Sequence, residues 1–142
     1  MNVTAIAGAV ALILGLAAAP LRAQEAQPQE AGGYGEAEYR DSCAACHGLD
    51  GRGGGALAGE LRTSPSDLTL LAEGNGGEFP YWRVFAVIDG RYVVAGHGDR
   101  DMPVWGRHFL DEETPVFGPR GGELAATERI HALAGYIASL QR

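Results

Sequence analysis

The chain has 142 residues, enough for one domain, with 18 acidic residues against 11 basic ones and a formal net charge of −7. Every basic residue is arginine; there is no lysine. A surface this acidic argues against nucleic acid or anionic lipid as a partner; it suits proteins with a basic docking surface, or serves only to keep the chain soluble.

Val3 to Ala19 is an apolar, alanine-rich run without charge, followed by Pro20-Leu21-Arg22-Ala23. It reads as a secretory signal peptide over residues 1–23, cleaved after Ala23, which predicts a periplasmic protein. The run of 17 residues also reaches the lower limit for a membrane span. A retained anchor is therefore the competing reading, and the only one that ties the chain to a membrane. From Gln24 onward, 10 basic residues face 18 acidic ones, a balance of −8. Residues 24–33, rich in Gln, Glu, Ala and Gly, read as a disordered lead-in, and the folded domain is expected over 34–142.

Gly35 to Ala45 predicts the first helix, with good helix formers and acids in its first turn. Gly35, Tyr39 and Cys43 are four apart and share one face. That face delivers Cys43-Ala44-Ala45-Cys46-His47, the C-x-x-C-H attachment pattern of a c-type haem. Two thiols three residues apart can add to the two vinyl groups of one porphyrin, and His47 is then held where its imidazole can ligate the iron. A thioredoxin-like pair would want a βαβ context, and a zinc site a second pair of ligands. A plain disulfide leaves His47 without a role. The pattern occurs once and no internal repeat is visible, so one haem per chain is expected. Both cysteines belong to it, which leaves none to staple the fold.

Six glycines between Gly48 and Gly59 exclude helix and strand there. They predict a tight loop whose backbone passes close to the porphyrin edge. Ser64-Pro65-Ser66-Asp67 signals a helix start; the helix carries Leu68, Leu70 and Leu71 for at most two turns before Gly74-Asn75-Gly76-Gly77. Pro80 opens the next helix at its first position. Tyr81, Trp82, Val84, Phe85, Val87 and Ile88 give it an apolar stripe, and Asp89-Gly90 ends it. This aromatic segment is expected at the haem pocket or the core beside it. Arg91 to Gly98, with Tyr92-Val93-Val94, predicts a brief extended piece. Phe109 to Gly122, acidic and with two prolines, reads as a surface loop. Leu124 to Leu140 is the last helix, with Ala126, Ile130, Leu133, Ile137 and Leu140 at 3–4 spacing.

Met102 is the only methionine beyond the signal segment and lies 55 residues past His47, directly before Pro103. A thioether ligand favours ferrous iron and raises the potential relative to a second imidazole. Proline on its C-terminal side stiffens the loop. Met102 is thus the candidate sixth ligand; a pocket-filling role, ligation by His97 or His108, and an open position are the competing readings. Trp105 could pack on the porphyrin, donate to a propionate or serve as a core aromatic. His131 reads as a surface or satisfied histidine. The arginines at 52, 62, 83, 91, 100 and 107 are equal candidates to pair with propionates.

Cys43-Ala-Ala-Cys46-His47-Gly48 near the start, Met102-Pro103-Val104-Trp105-Gly106 late, and Leu133 with Tyr136 in the last helix resemble the class I c-type cytochromes, in particular small bacterial periplasmic mono-haem ones. The resemblance implies an all-α cytochrome c fold. Its N- and C-terminal helices cross, and shorter helices and Gly-rich loops surround one covalently bound haem c with its iron. It implies that Gly35 and Tyr39 face Leu133 and Tyr136 across that crossing. In the family a proline carbonyl accepts the N–H of the ligating histidine; Pro65 is placed for this, with the Leu61 and Arg62 carbonyls equally reachable. The implied function is to carry single electrons between redox partners outside the cytoplasm, without catalytic residues, as a monomer or a complex subunit. Cys43 and Cys46 would bind the haem, and His47 and Met102 would be the axial ligands. The alternatives are a haem subunit of a respiratory or dehydrogenase complex, and a haem enzyme or gas sensor with a labile sixth ligand. The lysine ring through which well-known members dock is missing here, so their partners are not implied.

Overall fold

The computed structural model describes residues 31–91 and 102–142. Among these residues the chain is helical and without strands, in line with the all-α expectation. It forms α1 (Ala31–Ser42), α2 (Ala44–His47), α3 (Tyr81–Asp89) and α4 (Trp105–Ser139), with 3-10 turns at Ala58–Glu60, Leu68–Leu70 and Glu73–Asn75. The signal segment, the Tyr92-Val93-Val94 piece and His97 lie outside the described residues.

α1 starts at Ala31, four residues before the expected Gly35, and takes in the end of the presumed lead-in. Gly32 and Gly33 are poor helix formers, so packing of the following turns on α4 outweighs local propensity. The contact is close because Gly35 has no side chain. A Cβ there would collide with the carbonyl oxygen of Ala132 and lie 3.1 Å from the Cβ of Tyr136. One turn later Tyr39 is fully buried, its ring centroid 5.2 Å from that of Tyr136. The crossing of first and last helices therefore falls where the spacing of Gly35 and Tyr39 places it. Burying a side chain of this size contributes roughly 2–3 kcal/mol.

α3 is bounded as its sequence suggests, though Pro80 is the cap residue and not the first helical one. Gly90 adopts a left-handed conformation (φ 60°), and its N–H returns to the Ala86 carbonyl. Val84, Ile88 and Asp89 are buried against the core. The Tyr81 hydroxyl lies 2.9 Å from His131 Nδ1, and the two rings stack. His131 is thus a satisfied histidine inside an aromatic cluster with Phe85 and Trp82.

The expected surface loop over Phe109–Gly122 is instead helical. α4 runs through it and breaks at Gly118 (φ 72°, ψ 175°). Pro119 follows the break, where a missing N–H costs little. The two segments fold back on each other so tightly that a Cβ on Gly122 would lie 2.8 Å from the Cα of Thr114. Phe109 is completely buried. The acids that suggested solvent exposure have a partner: Arg129 donates to Glu112 (2.7 Å), Glu113 (2.9 Å) and Glu38 on α1 (3.0 Å). Its guanidinium also sits 4.0 Å from the centre of the Phe109 ring. Burial works against the Arg129 charge, but the three carboxylates outweigh it and hold its pKa above the usual arginine value.

Candidate haem-binding site

The C-x-x-C-H residues occupy one helical turn. Cys43 caps α2, and its carbonyl accepts from both Cys46 N (3.2 Å) and His47 N (2.9 Å). Gly48 ends the turn with φ 79° and returns its N–H to Ala44 O. A helix this short leaves its remaining carbonyls without internal partners. The glycine-rich loop supplies them: Leu57 N donates to Ala45 O (2.8 Å), Gly55 N to Cys46 O (3.0 Å) and Gly53 N to His47 O (2.7 Å).

This is why the loop needs glycine. A Cβ on Gly55 would collide with the Ala45 carbonyl and come within 2.6 Å of that of Ala44; one on Gly53 would collide with the Pro65 carbonyl. The tight loop is present, and among protein atoms the close approaches that demand glycine are to backbone in the turn itself and at Pro65. Beneath the turn, the buried Tyr39 hydroxyl donates to Gly48 O at 2.8 Å. Burial, then the neighbouring Cys43, Tyr136 and Asp50, push its pKa well above the ordinary tyrosine value, so it remains a donor.

Both thiols are free of any disulfide; Cys43 is buried and Cys46 half-buried. Burial pushes the Cys43 thiol up to about 12, helped by Glu38 and Cys46. His47 is half-buried, and its Nδ1 lies 3.2 Å from the carbonyl oxygen of Ser66. A carbonyl only accepts, so this contact puts the proton on Nδ1 and leaves the Nε2 lone pair available to ligate a metal. Burial lowers the pKa of His47 and the Ser66 contact partly offsets this, which favours the neutral ring that can ligate a metal. The acceptor is Ser66, not Pro65, Leu61 or Arg62. Its position follows from the next residue: Asp67 caps the 3-10 turn, its carboxylate accepting from Thr69 N (2.9 Å) and Thr69 Oγ1 (2.6 Å). The predicted two-turn helix is reduced to this turn and the one at Glu73–Asn75.

Met102 is half-buried and packs against the hydrophobic core at the approach to α4. Trp105 opens that helix; its ring packs on His108 (5.5 Å) and Phe109 (5.6 Å), which makes it a core-side aromatic. His108, one of the rival ligands, is exposed and lies 3.1 Å from Glu112. The approach is anchored at Gly106, where a Cβ would overlap the buried carboxylate of Asp89 and lie 2.7 Å from its backbone oxygen. Asp89 in turn accepts from Arg91 Nε (2.6 Å), while Arg91 Nη1 reaches Glu123 (2.7 Å). Of the arginines proposed for propionates, Arg91 is thus committed to carboxylates of the protein. Sequence reasoning did not anticipate Ser66 or Asp89, since neither belongs to a recognisable motif.

The donor set fits a covalently held haem: two free thiols on one turn, an imidazole with Nε2 available, and a thioether at the core. Among the described residues no cluster of three or more His, Cys, Asp or Glu side chains is placed to hold a bare metal ion. The helical fold and this turn define a c-type cytochrome domain. The sequence model of the family described as Cytochrome C oxidase, cbb3-type, subunit III matches residues 30–114, more than half of the chain, and the protein belongs to that family. It is therefore a c-type haem domain that carries electrons, with covalently bound haem c and iron as its cofactor. No curated protein and no solved structure matches the chain.

Proposed function

We propose that the protein is a mono-haem cytochrome that passes single electrons between redox proteins outside the cytoplasm and performs no bond chemistry of its own. Cys43 and Cys46 tether the haem, and His47 and Met102 are its axial ligands. The observation that carries this reading is the contact between His47 Nδ1 and Ser66 O inside a fully hydrogen-bonded C-x-x-C-H turn. When bound, the haem supplies the one-electron ferrous/ferric couple.

The chain's own residues prepare that couple. Accepting the Nδ1 proton's hydrogen bond, Ser66 orients the imidazole and makes Nε2 more basic. Met102 presents a soft sulfur that favours ferrous iron. Holding both ligands on packed backbone keeps their displacement small when the charge changes. Residues 1–23 act as the export signal, or as an anchor if retained; among the described residues no helix is long and apolar enough to cross a membrane. The acidic surface steers encounter with a partner that docks through basic residues, so association slows as salt rises.

The test is Met102→Ala in the haem-loaded protein. It should abolish the sulfur-to-iron charge-transfer band, lower the midpoint potential and open the iron to carbon monoxide. An unchanged spectrum and potential would assign the sixth position to another residue. If the unaltered protein already bound carbon monoxide readily, an enzyme or gas sensor with a labile ligand would replace the carrier.

The family match favours one second reading, in which the same haem belongs to a subunit of a cbb3-type oxidase and has a permanent partner. Size analysis of the native protein extracted at low salt separates the two: a free carrier runs at its own mass, a subunit with its complex.

A further inference from the structure

We propose that Gln141 and Arg142, the two residues after Leu140 at the end of α4, are positioning residues for His47. They fix the short segment whose Ser66 carbonyl holds the imidazole. The proposal rests on the reading of His47 as an iron ligand.

The Ser66 carbonyl belongs to no regular helix, so its place depends on its neighbours in the chain. On the inner side Leu68 N donates to Gly51 O at 2.7 Å. On the outer side the end of α4 grips residues 67–72. The side-chain oxygen of Gln141 accepts from Ala72 N (2.8 Å), and its amide nitrogen donates to Leu68 O (2.7 Å) and to Ile137 O (2.9 Å). One amide therefore spans the segment and the last turn of α4, using its acceptor and both donors. Arg142 continues the seam: its backbone N–H donates to Thr69 O (3.2 Å), Nε to Thr69 Oγ1 (2.9 Å) and Nη2 to Asp67 Oδ2 (3.3 Å). Thr69 and Asp67 are the two residues that form the cap next to Ser66.

Gln141 and Arg142 act through Asp67, Leu68 and Thr69, which follow Ser66 in the chain. The same helix that braces α1 through Tyr136 thus also sets the hydrogen bond behind the iron ligand. If the seam is cut, Ser66 O is freer to drift, the imidazole is held less well, and Nε2 donates less to ferric iron. The midpoint potential should then rise.

The experiment compares the unaltered haem-loaded protein with Gln141→Ala, Arg142→Ala and the double variant. Two quantities are read: the midpoint potential, and the solvent exchange of the His47 Nδ1 proton followed by its hyperfine-shifted resonance. Gln141→Glu keeps the acceptor for Ala72 N but turns an acceptor-only oxygen onto the Leu68 and Ile137 carbonyls, so it should move both quantities at least as far as Gln141→Ala. The double variant should raise the potential and speed exchange by roughly five- to tenfold, the factor that one net hydrogen bond places on an opening equilibrium. Ile130→Val, in the buried face of α4 away from the seam, is the control and should lower stability without moving either quantity. The proposal is overturned if the seam variants behave like Ile130→Val. Should the double variant not fold, the single variants decide on the same two readouts. If the unaltered ferric protein shows no such shifted imidazole proton, it is the assignment of His47 as ligand that fails.

Discussion

His47 sits in a turn whose five carbonyls are all met by N–H groups between Cys46 and Leu57, whereas Met102 sits at the approach to a helix that is held by residues far away in sequence. Asp89 packs on Gly106, and Arg91 bridges Asp89 to Glu123. In the first half, the C-x-x-C-H turn itself is held together by hydrogen bonds within a short stretch of chain, while the Ser66 carbonyl behind His47 depends on the end of α4. The second half owes its geometry to contacts between elements, so Met102 can be displaced while the turn stays intact. Arg129 joins the two, since Glu38 lies on the helix leading to Cys43 and Glu112 and Glu113 lie on the segment following Met102.

Arg129→Ala should be the most disruptive change, because it leaves Glu38 buried without a cation and unpins both halves at once. A loss of about 3 kcal/mol in denaturant unfolding is expected. A loss below about 1 kcal/mol, as for an exposed pair, would mean that the halves are not joined there.

Gly55→Ala and Gly106→Ala separate the halves. Each forces a methyl group onto fixed atoms and should cost about 2–3 kcal/mol. Gly55→Ala should lower the yield of covalent haem, since it breaks the turn that carries the thiols. Gly106→Ala should leave attachment intact and weaken the sulfur-to-iron band. Gly54→Ala, where nothing lies within 4 Å of the added carbon, is the control and should stay within about 0.5 kcal/mol of the unaltered protein. Equal loss of haem in Gly55→Ala and Gly106→Ala would erase the distinction.

The smallest effect concerns Asp67. The Thr69 hydroxyl first, then the Thr69 N–H, hold its carboxyl below the ordinary 3.8 against the opposing effect of burial, and Arg142 adds to this. A carboxyl with a depressed folded pKa stabilises the fold above 3.8, and that contribution disappears as pH falls through the depressed value. Thermal midpoints of the unaltered protein and Asp67→Asn should therefore differ at neutral pH and converge in acid. A constant gap across that range would show that the carboxylate charge is not what holds the cap.

Much of the haem-bearing half was legible in the sequence because its instructions are local. C-x-x-C-H names its cofactor by chemistry, and Gly35 and Tyr39 announce a helix crossing through size and spacing. Pro80 and Gly90 bracket α3. The carbonyl behind His47 was not legible: it falls one residue beyond Pro65 because Asp67 caps the following turn. Nor was the helix over Phe109–Gly122, where two prolines and several acids suggested a loop. Glu112 and Glu113 find Arg129 only after the chain reverses at Gly118, and no local pattern records a partner 16 or 17 residues away.

The sequence by itself named haem c as the cofactor through the chemistry of C-x-x-C-H, and its resemblance to class I cytochromes implied the all-α class that the described residues show. Only the tertiary structure decided which carbonyl orients the histidine, why the loop must be glycine and how the approach carrying Met102 is anchored. Those outcomes depend on distances between residues such as Gly55 and Ala45, Asp89 and Gly106, or Gln141 and Ala72. Such distances are set when helices pack, not by the order of residues along the chain.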